Sequence, residues 1–168
     1  VRVTSGEEGT KIYQLSDSSK NLISNLAKGN LYNPHTWGLD AREFFFQEDS
    51  IILVEGQEDV LLYPEIAKQL GKEIQGSFFG WGAGGAGNIP NLCNIAKDLG
   101  FKKVAVIFDG DKQKEFNNLK EKFPHYNFQI IPADDIRTKE ARKAVNEKQG
   151  ILDKDRTIQE KYREDMNV

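Results

Sequence analysis

The stretch Val104-Ala-Val-Ile-Phe-Asp109-Gly-Asp111 constrains this chain more than any other. An apolar run rich in β-branched residues reads as a strand buried on both faces of a parallel sheet. Two carboxylates separated by one glycine follow, where that strand leaves the sheet. In open α/β sheets this carboxyl end is where ligands bind. Neighbouring carboxylates repel each other unless something positive offsets them. For hard oxygen donors a divalent cation such as Mg²⁺ or Mn²⁺ is the natural counterion.

A second stretch repeats the pattern. Ser50-Ile-Ile-Leu-Val-Glu55-Gly56 is apolar and ends in an acid and a glycine, and Asp59 lies one helical turn further on. If the two strands are neighbours in a parallel sheet, Glu55, Asp109 and Asp111 converge at one edge and Asp59 can join them. Four carboxylates so placed make an oxygen-rich site for one or two metal ions, which activate water and stabilise the leaving oxygen of a phosphodiester. The competing reading is that acids at loop starts cap helices and form turns. That reading weighs most for Asp59 taken alone.

Between the two stretches lies Gly80-Trp-Gly-Ala-Gly-Gly-Ala-Gly87, followed by Asn88 and Pro90. Gly82, Gly84 and Gly87 satisfy the G-x-G-x-x-G pattern, so a dinucleotide-binding loop is one reading. It would leave Glu55, Asp59 and Asp111 without a role. A loop shaping one wall of a metal site, with Gly84, Gly85 and Asn88 as candidates for phosphate or DNA contact, accounts for more of the chain.

The remaining elements follow from period and punctuation. Lys11–Leu15 alternates like a short strand, and Asn21–Ala27 reads as a helix. Leu39–Phe46 reads as a helix whose Phe44, Phe45 and Phe46 pack into a core. A helix runs from Val60 past Leu70 to Gly71, with Pro64 near its start. Glu73–Phe79 is a strand, Ile89–Leu99 a helix, Lys112–Phe123 a polar helix, and Asn127–Ile131 a final strand. Pro132–Lys139 reads as a loop entering a helix, capped by Asp135 or Thr138. Arg137 there is a candidate phosphate contact and Lys139 a cation for charge developing on a scissile phosphate. The β-α-β-α-β-α-β alternation predicts an α/β fold, a mainly parallel sheet with helices on both faces.

Composition excludes several classes. A hydrophobic fraction of 38% and a charged fraction of 29% in 168 residues describe a globular chain, not a disordered one. Cys93 is the only cysteine, so neither an intrachain disulfide nor a thiolate zinc site is available, and a cytoplasmic location is expected. No apolar run is long enough for a membrane span. The net charge of −3 argues against a DNA-coating protein but not against nucleic-acid chemistry, since metal-binding acids contribute to it. No P-loop pattern is present, and the isolated His35 and His125 support neither a triad nor a metal pair. The chain begins at Val1, which suggests a piece of a longer protein.

At Val54-Glu55-Gly56 and Asp109-Gly110-Asp111 the sequence resembles the Toprim domain of topoisomerases, DnaG-type primases and several nucleases. It is more similar still to the C-terminal Toprim nuclease of OLD-family proteins, which include the nuclease subunit of the Gabija anti-phage system. Phe44-Phe-Phe46, Val54–Asp59, Gly82–Asn88 and Lys139 match the order of that family's features. The resemblance, covering roughly 44–139, implies a Toprim-type, Rossmann-like sheet. It also implies a Mg²⁺- or Mn²⁺-dependent DNA endonuclease with two ions. Glu55 and Asp59 would hold one ion, Asp109 and Asp111 the other; Glu55, Asp109 and Lys139 would be catalytic. The partners implied are DNA, an ABC-type ATPase domain absent from this chain and, in the full-length protein, a homo-oligomer. The corresponding organisation is an extension or linker over 1–46, a Toprim domain over 47–140 and a charged helical segment over 141–168. Rival readings are a primase- or topoisomerase-type Toprim domain, and a DNA-binding or assembly module without activity.

Overall fold

The computed structural model describes residues 1–27, 50–140 and 147–165. In chain order its elements are β1 (Arg2–Gly6), β2 (Gly9–Tyr13), α1 (Asp17–Ala27), β3 (Ser50–Leu53), α2 (Gln57–Gln69), β4 (Ser77–Phe78), α3 (Ile89–Asp98), β5 (Lys103–Phe108), α4 (Gln113–Lys122), β6 (Asn127–Ile130), β7 (Asp135–Arg137), β8 (Lys139–Glu140), β9 (Glu147–Lys148), β10 (Gly150–Leu152) and α5 (Glu160–Arg163). Short 3₁₀ turns at Ala86–Asn88 and Gly110–Lys112 lead into α3 and α4. The helix expected over Leu39–Phe46, with its aromatic anchor, lies outside the described residues, as does His35.

The centre is a four-stranded, all-parallel sheet in the order β4-β3-β5-β6. The register places Ile52 beside Ala105 and Leu53 beside Val106. Alternation along the strands sorts side chains to two faces. Ile51, Leu53, Val104, Val106 and Phe108 meet Ile89, Leu92 and Ile95 of α3 and Leu119 of α4 in one core. Ile52 and Val54 meet Leu62, Tyr63 and Ile66 of α2 in the other. Both faces are therefore covered, which is why these strands read as unbroken apolar runs. Each fully buried Ile, Leu or Phe contributes about 1.5–3 kcal/mol relative to exposure.

The topology locates the ligand edge. From β3 the chain crosses by α2 to β4, then returns by α3 on the other face to β5 on the far side of β3. The connections thus reverse direction between β3 and β5. At such a switch point the two crossovers diverge and leave a crevice outside the carboxyl ends.

Several expectations need correction. Helix α2 starts three residues earlier than its apolar pattern, so Pro64 is interior to it and removes one backbone hydrogen bond instead of sitting in the first turn. The strand expected over Glu73–Phe79 shrinks to Ser77–Phe78. Residues 1–10, which show no clear period, form with 11–13 a hairpin in register from Arg2↔Tyr13 to Gly6↔Gly9. That hairpin is docked: Arg2 is buried, its guanidinium donates to the Leu99 carbonyl at 3.1 Å, and it lies 4.2 Å from the Phe101 ring centroid.

The largest correction is C-terminal. Pro132–Lys139 does not lead into a capped helix, and 147–165 is not a charged helical segment. Strand β7 pairs in parallel with β10, Asp135 opposite Gly150 and Arg137 opposite Leu152. Ile136, Ile151, Leu152 and Ile158 are buried against the α2 side of the sheet. Thr138 caps nothing; its hydroxyl accepts from the Gly150 N–H at 3.1 Å. Only glycine fits at 150, because a Cβ there would stand 2.0 Å from the Arg137 carbonyl carbon. Among the described residues of this segment, α5 alone is helical. A few apolar side chains at the right register outweigh a high charge count, because burial is decided by what the segment can pair with. No helix among the described residues is long and apolar enough to cross a membrane.

Candidate metal centre

Glu55 lies two residues beyond β3 and Asp109 one residue beyond β5. Because these strands are adjacent and parallel, residues 54 apart in sequence touch: the Asp109 N–H donates to Glu55 Oε1 at 3.2 Å. Asp59 is in the first turn of α2, and its Oδ2 accepts the Gly56 N–H at 2.8 Å. It thus serves as the backward half of a capping box. It also stands near enough to Glu55 for its charge to raise that carboxyl. Asp111 stands in the 3₁₀ turn after Asp109 and pairs with Lys112.

Two glycines make this approach feasible. A Cβ at Gly82, where φ is +80°, would sit 2.5 Å from the Gly56 backbone, so the glycine loop lies directly on the turn after Glu55. A Cβ at Gly110 would sit 2.4 Å from the Ala133 carbonyl oxygen, which the Gly110 N–H already contacts at 2.8 Å. Side chains at either position would force the backbones apart.

The glycine loop is sewn to the site rather than held open. The Ala83 N–H donates to the Val54 carbonyl at 2.9 Å, and the Gly85 N–H to the Glu55 carbonyl at 2.8 Å. The Asn88 amide donates to the Ala83 and Gly84 carbonyls. Of the expected phosphate contacts, Gly85 donates its N–H to the Glu55 carbonyl and Asn88 donates within the loop, while Gly84 stays at its exposed tip. The loop therefore packs as a wall against the turn after Glu55.

The acids are short of positive charge. Asp109 is pushed up to about 8, first by burial and then by the charges of Asp59, Glu55, Asp135 and Asp111. Burial raises Glu55 as well, against the Asp109 N–H and Lys112. Asp59, 7% exposed, is raised by burial and by Asp135, against the Gly56 N–H and Lys139. Protons are held where a cation would be welcome.

Two further groups belong here that sequence reading passed over. Asp135, 4% exposed, sits beyond β6, the third parallel strand to deliver an acid to this edge. Its sequence signal is a carboxylate shortly after the final strand, which a helix cap would also produce. Glu58 collects both candidate cations: Arg137 Nη2 bonds its Oε1 at 2.6 Å and Lys139 Nζ its Oε2 at 2.9 Å. Lys139 also bonds Asp135 Oδ2 at 2.9 Å. Lys139 and Arg137 therefore do reach the acid edge, but as members of an ion network tying β7 and β8 to the first turn of α2. The hydrogen bond from Lys139 holds Glu58 below the usual carboxylate range despite partial burial.

The donor set, carboxylate oxygens that burial has made unusually basic, fits a hard divalent cation in its chemistry. Its grouping is open: among the described residues, no three His, Cys, Asp or Glu side chains stand close enough together to share an ion. Glu55 and Asp59 each occupy an oxygen with a backbone N–H.

A parallel sheet with a glutamate and an Asp-x-Asp at its switch point defines a Toprim fold. The model of the family described as Overcoming lysogenization defect protein-like, TOPRIM domain, matches residues 45–111, so this stretch is similar to an OLD-like Toprim domain. The match runs through Glu55, Asp59, the glycine loop and the Asp-Gly-Asp turn; Asp135, Arg137 and Lys139 lie beyond it. No curated protein matches the chain.

Proposed function

We propose that the acid edge is the phosphodiester-cleaving site of a Mg²⁺- or Mn²⁺-dependent DNA endonuclease of the OLD-family, Gabija-like type, active in anti-phage defence or DNA processing. In this reading an ABC-type ATPase domain and a homo-oligomeric assembly complete the protein in the cytoplasm. The observation that carries it is the contact between Glu55 and the Asp109 backbone across adjacent parallel strands, within a matched Toprim module.

Glu55 and Asp59 would hold one ion, and Asp109 with Asp111 the other. Bound there, the ions supply an activated water and charge for the leaving oxygen. The chain's own residues do the rest. Burial of Lys139 works against its charge, but the bonds to Glu58 and Asp135 more than offset it, so the amine keeps its proton. A protonated lysine is a charge stabiliser for a phosphate, not a general base. Glu58 and Asp135 fix where that ammonium stands, and Arg137 shares the Glu58 carboxylate with it. The glycine loop closes one side of the site through its bonds to Val54 and Glu55.

Plasmid nicking in Mg²⁺ and in Mn²⁺ tests this. Glu55→Gln and Asp109→Asn keep shape and hydrogen-bonding capacity while removing charge, and each should lower nicking by about 10³-fold or more, since metal-assisted charge stabilisation is worth several kcal/mol. Nicking retained in both folded variants would sink the assignment. A second reading, a DNA-binding or assembly module without activity, draws on the open grouping of the acids. It predicts metal binding with no nicking by the parent chain.

A further inference from the structure

The amino ends of β5 and β6 carry a site of opposite character. A cavity of about 410 Å³ opens there between the end of α3, the end of α4 and the turn before β6. Lys97, Lys102 and Lys122 line it, each from a different segment, and no acid does. Among the described residues none of the three forms an ion pair, whereas Lys11, Lys20, Lys112 and Lys139 all do. Asp98 beside Lys97 offsets part of this charge; the ammonium groups otherwise repel one another, and a bound anion relieves that repulsion.

The other wall is flat and apolar. The Phe123 and Tyr126 rings stack with centroids 5.6 Å apart and planes 3° from parallel, beside the exposed Pro124 and His125. The Lys122 ammonium lies 5.4 Å from the Phe123 centroid, so charge and ring face sit side by side. The Tyr126 hydroxyl is buried and, among the described residues, has no hydrogen-bond partner. Cations beside aromatic faces are how proteins take single nucleotides out of a strand. The volume lies within the range of small-ligand sites and is too small for a duplex.

We propose that this cavity binds one nucleotide unit, its phosphate on Lys97, Lys102 and Lys122 and its base against the His125–Tyr126 side. The unit is either a free nucleotide or one residue of a single strand. The site stands apart from the acid edge, separated by the length of β5, about 20 Å at 3.3 Å per residue. It therefore does not depend on the nuclease reading.

Binding is measured in chelator, which silences any metal-dependent contribution: calorimetry with mononucleotides, and anisotropy with a labelled single-stranded DNA oligonucleotide. The parent chain should bind one or both. Lys102→Glu with Lys122→Glu should weaken binding at least about tenfold, while Lys68→Glu with Lys114→Glu, the same change of net charge placed elsewhere, should not. Ribose 5-phosphate should bind about tenfold or more weakly than the nucleotide, because the stacking contribution is lost. Mononucleotide binding marks a free-nucleotide site; binding of the oligonucleotide alone marks a strand site. The proposal fails if nothing binds, if both charge-reversed pairs weaken binding equally, or if inorganic phosphate and ribose 5-phosphate bind as well as the nucleotide. Thermal melts check that variants fold, and Lys102→Gln alone serves if the double reversal does not.

Discussion

The two edges of the central sheet handle charge in opposite ways. At the carboxyl edge, Glu55, Asp59, Asp109 and Asp135 are gathered into partial or full burial, and burial makes Glu55, Asp59 and Asp109 hold their protons more tightly than usual. At the amino edge, Lys97, Lys102 and Lys122 stay exposed around an aromatic cavity. Solvent screens the lysines, so their clustering costs little. The acids are screened less, and their arrangement is tolerable because backbone N–H groups, Lys112 and Lys139 meet part of their charge. Buried charge of one sign therefore marks the carboxyl edge as the place where the fold gives up stability, which is common at functional sites.

The sharpest way to break this contrast is the charge-neutral pair. Beyond the loss of nicking, Asp109→Asn should melt higher than the parent in chelator at pH 8, by about 2–4 °C for each kcal/mol of relieved repulsion. A lower melting temperature would mean that Asp109 is adequately compensated and that the contrast is false. Next in size is Gly82→Ala. The added Cβ meets Gly56 at 2.5 Å in a left-handed backbone conformation, so a loss of about 1–3 kcal/mol is expected in urea titration, with nicking falling alongside. An unperturbed variant would show that the loop is not seated on the Glu55 turn.

A smaller effect is the pH dependence of the metal-free chain. Asp109 has a folded pKa of about 8, against an ordinary 3.8. Between those values the folded state holds a proton that the unfolded state has released, so stability falls as pH rises through that window. Melting temperature in chelator should therefore drop from pH 5 to pH 8, and Mg²⁺ should restore most of the drop by binding the ionised form. A flat profile in chelator would contradict the burial of uncompensated acid. Smallest is Lys139→Gln, which leaves Glu58 with Arg137 and leaves Asp135 without its cation. Asp135 is 4% exposed, so a loss of about 1–3 kcal/mol is expected from thermal melts, the usual penalty for stranding a buried polar group.

Much of this site was legible beforehand. Ser50–Glu55 and Val104–Asp111 each carry strand, terminus and acid in one local pattern, and no other element competes for such apolar runs. Helices α2, α3 and α4 followed from period and from Gly71, Gly100 and Pro124. What escaped was short or paired at a distance. Strands of two or three residues, such as β7 and β10, contain too few positions to show a period, and the β1–β2 hairpin exposes most of its side chains on both faces. Asp135 looked like any loop acid because Asp59, the acid it meets, stands 76 residues earlier on another segment.

The sequence by itself determined that acids end two buried strands, that a glycine loop stands between them, and that the sheet is parallel. These are local properties, set by side-chain period and backbone freedom. Only the tertiary structure decided that β3 and β5 are neighbours, so that Glu55 meets Asp109 across a gap of 54 residues. It alone brought Asp135 beside them and bound Lys139 to Glu58. Strand order depends on which crossover covers which face, and a charge acquires its strength from burial. Neither quantity exists until distant segments pack.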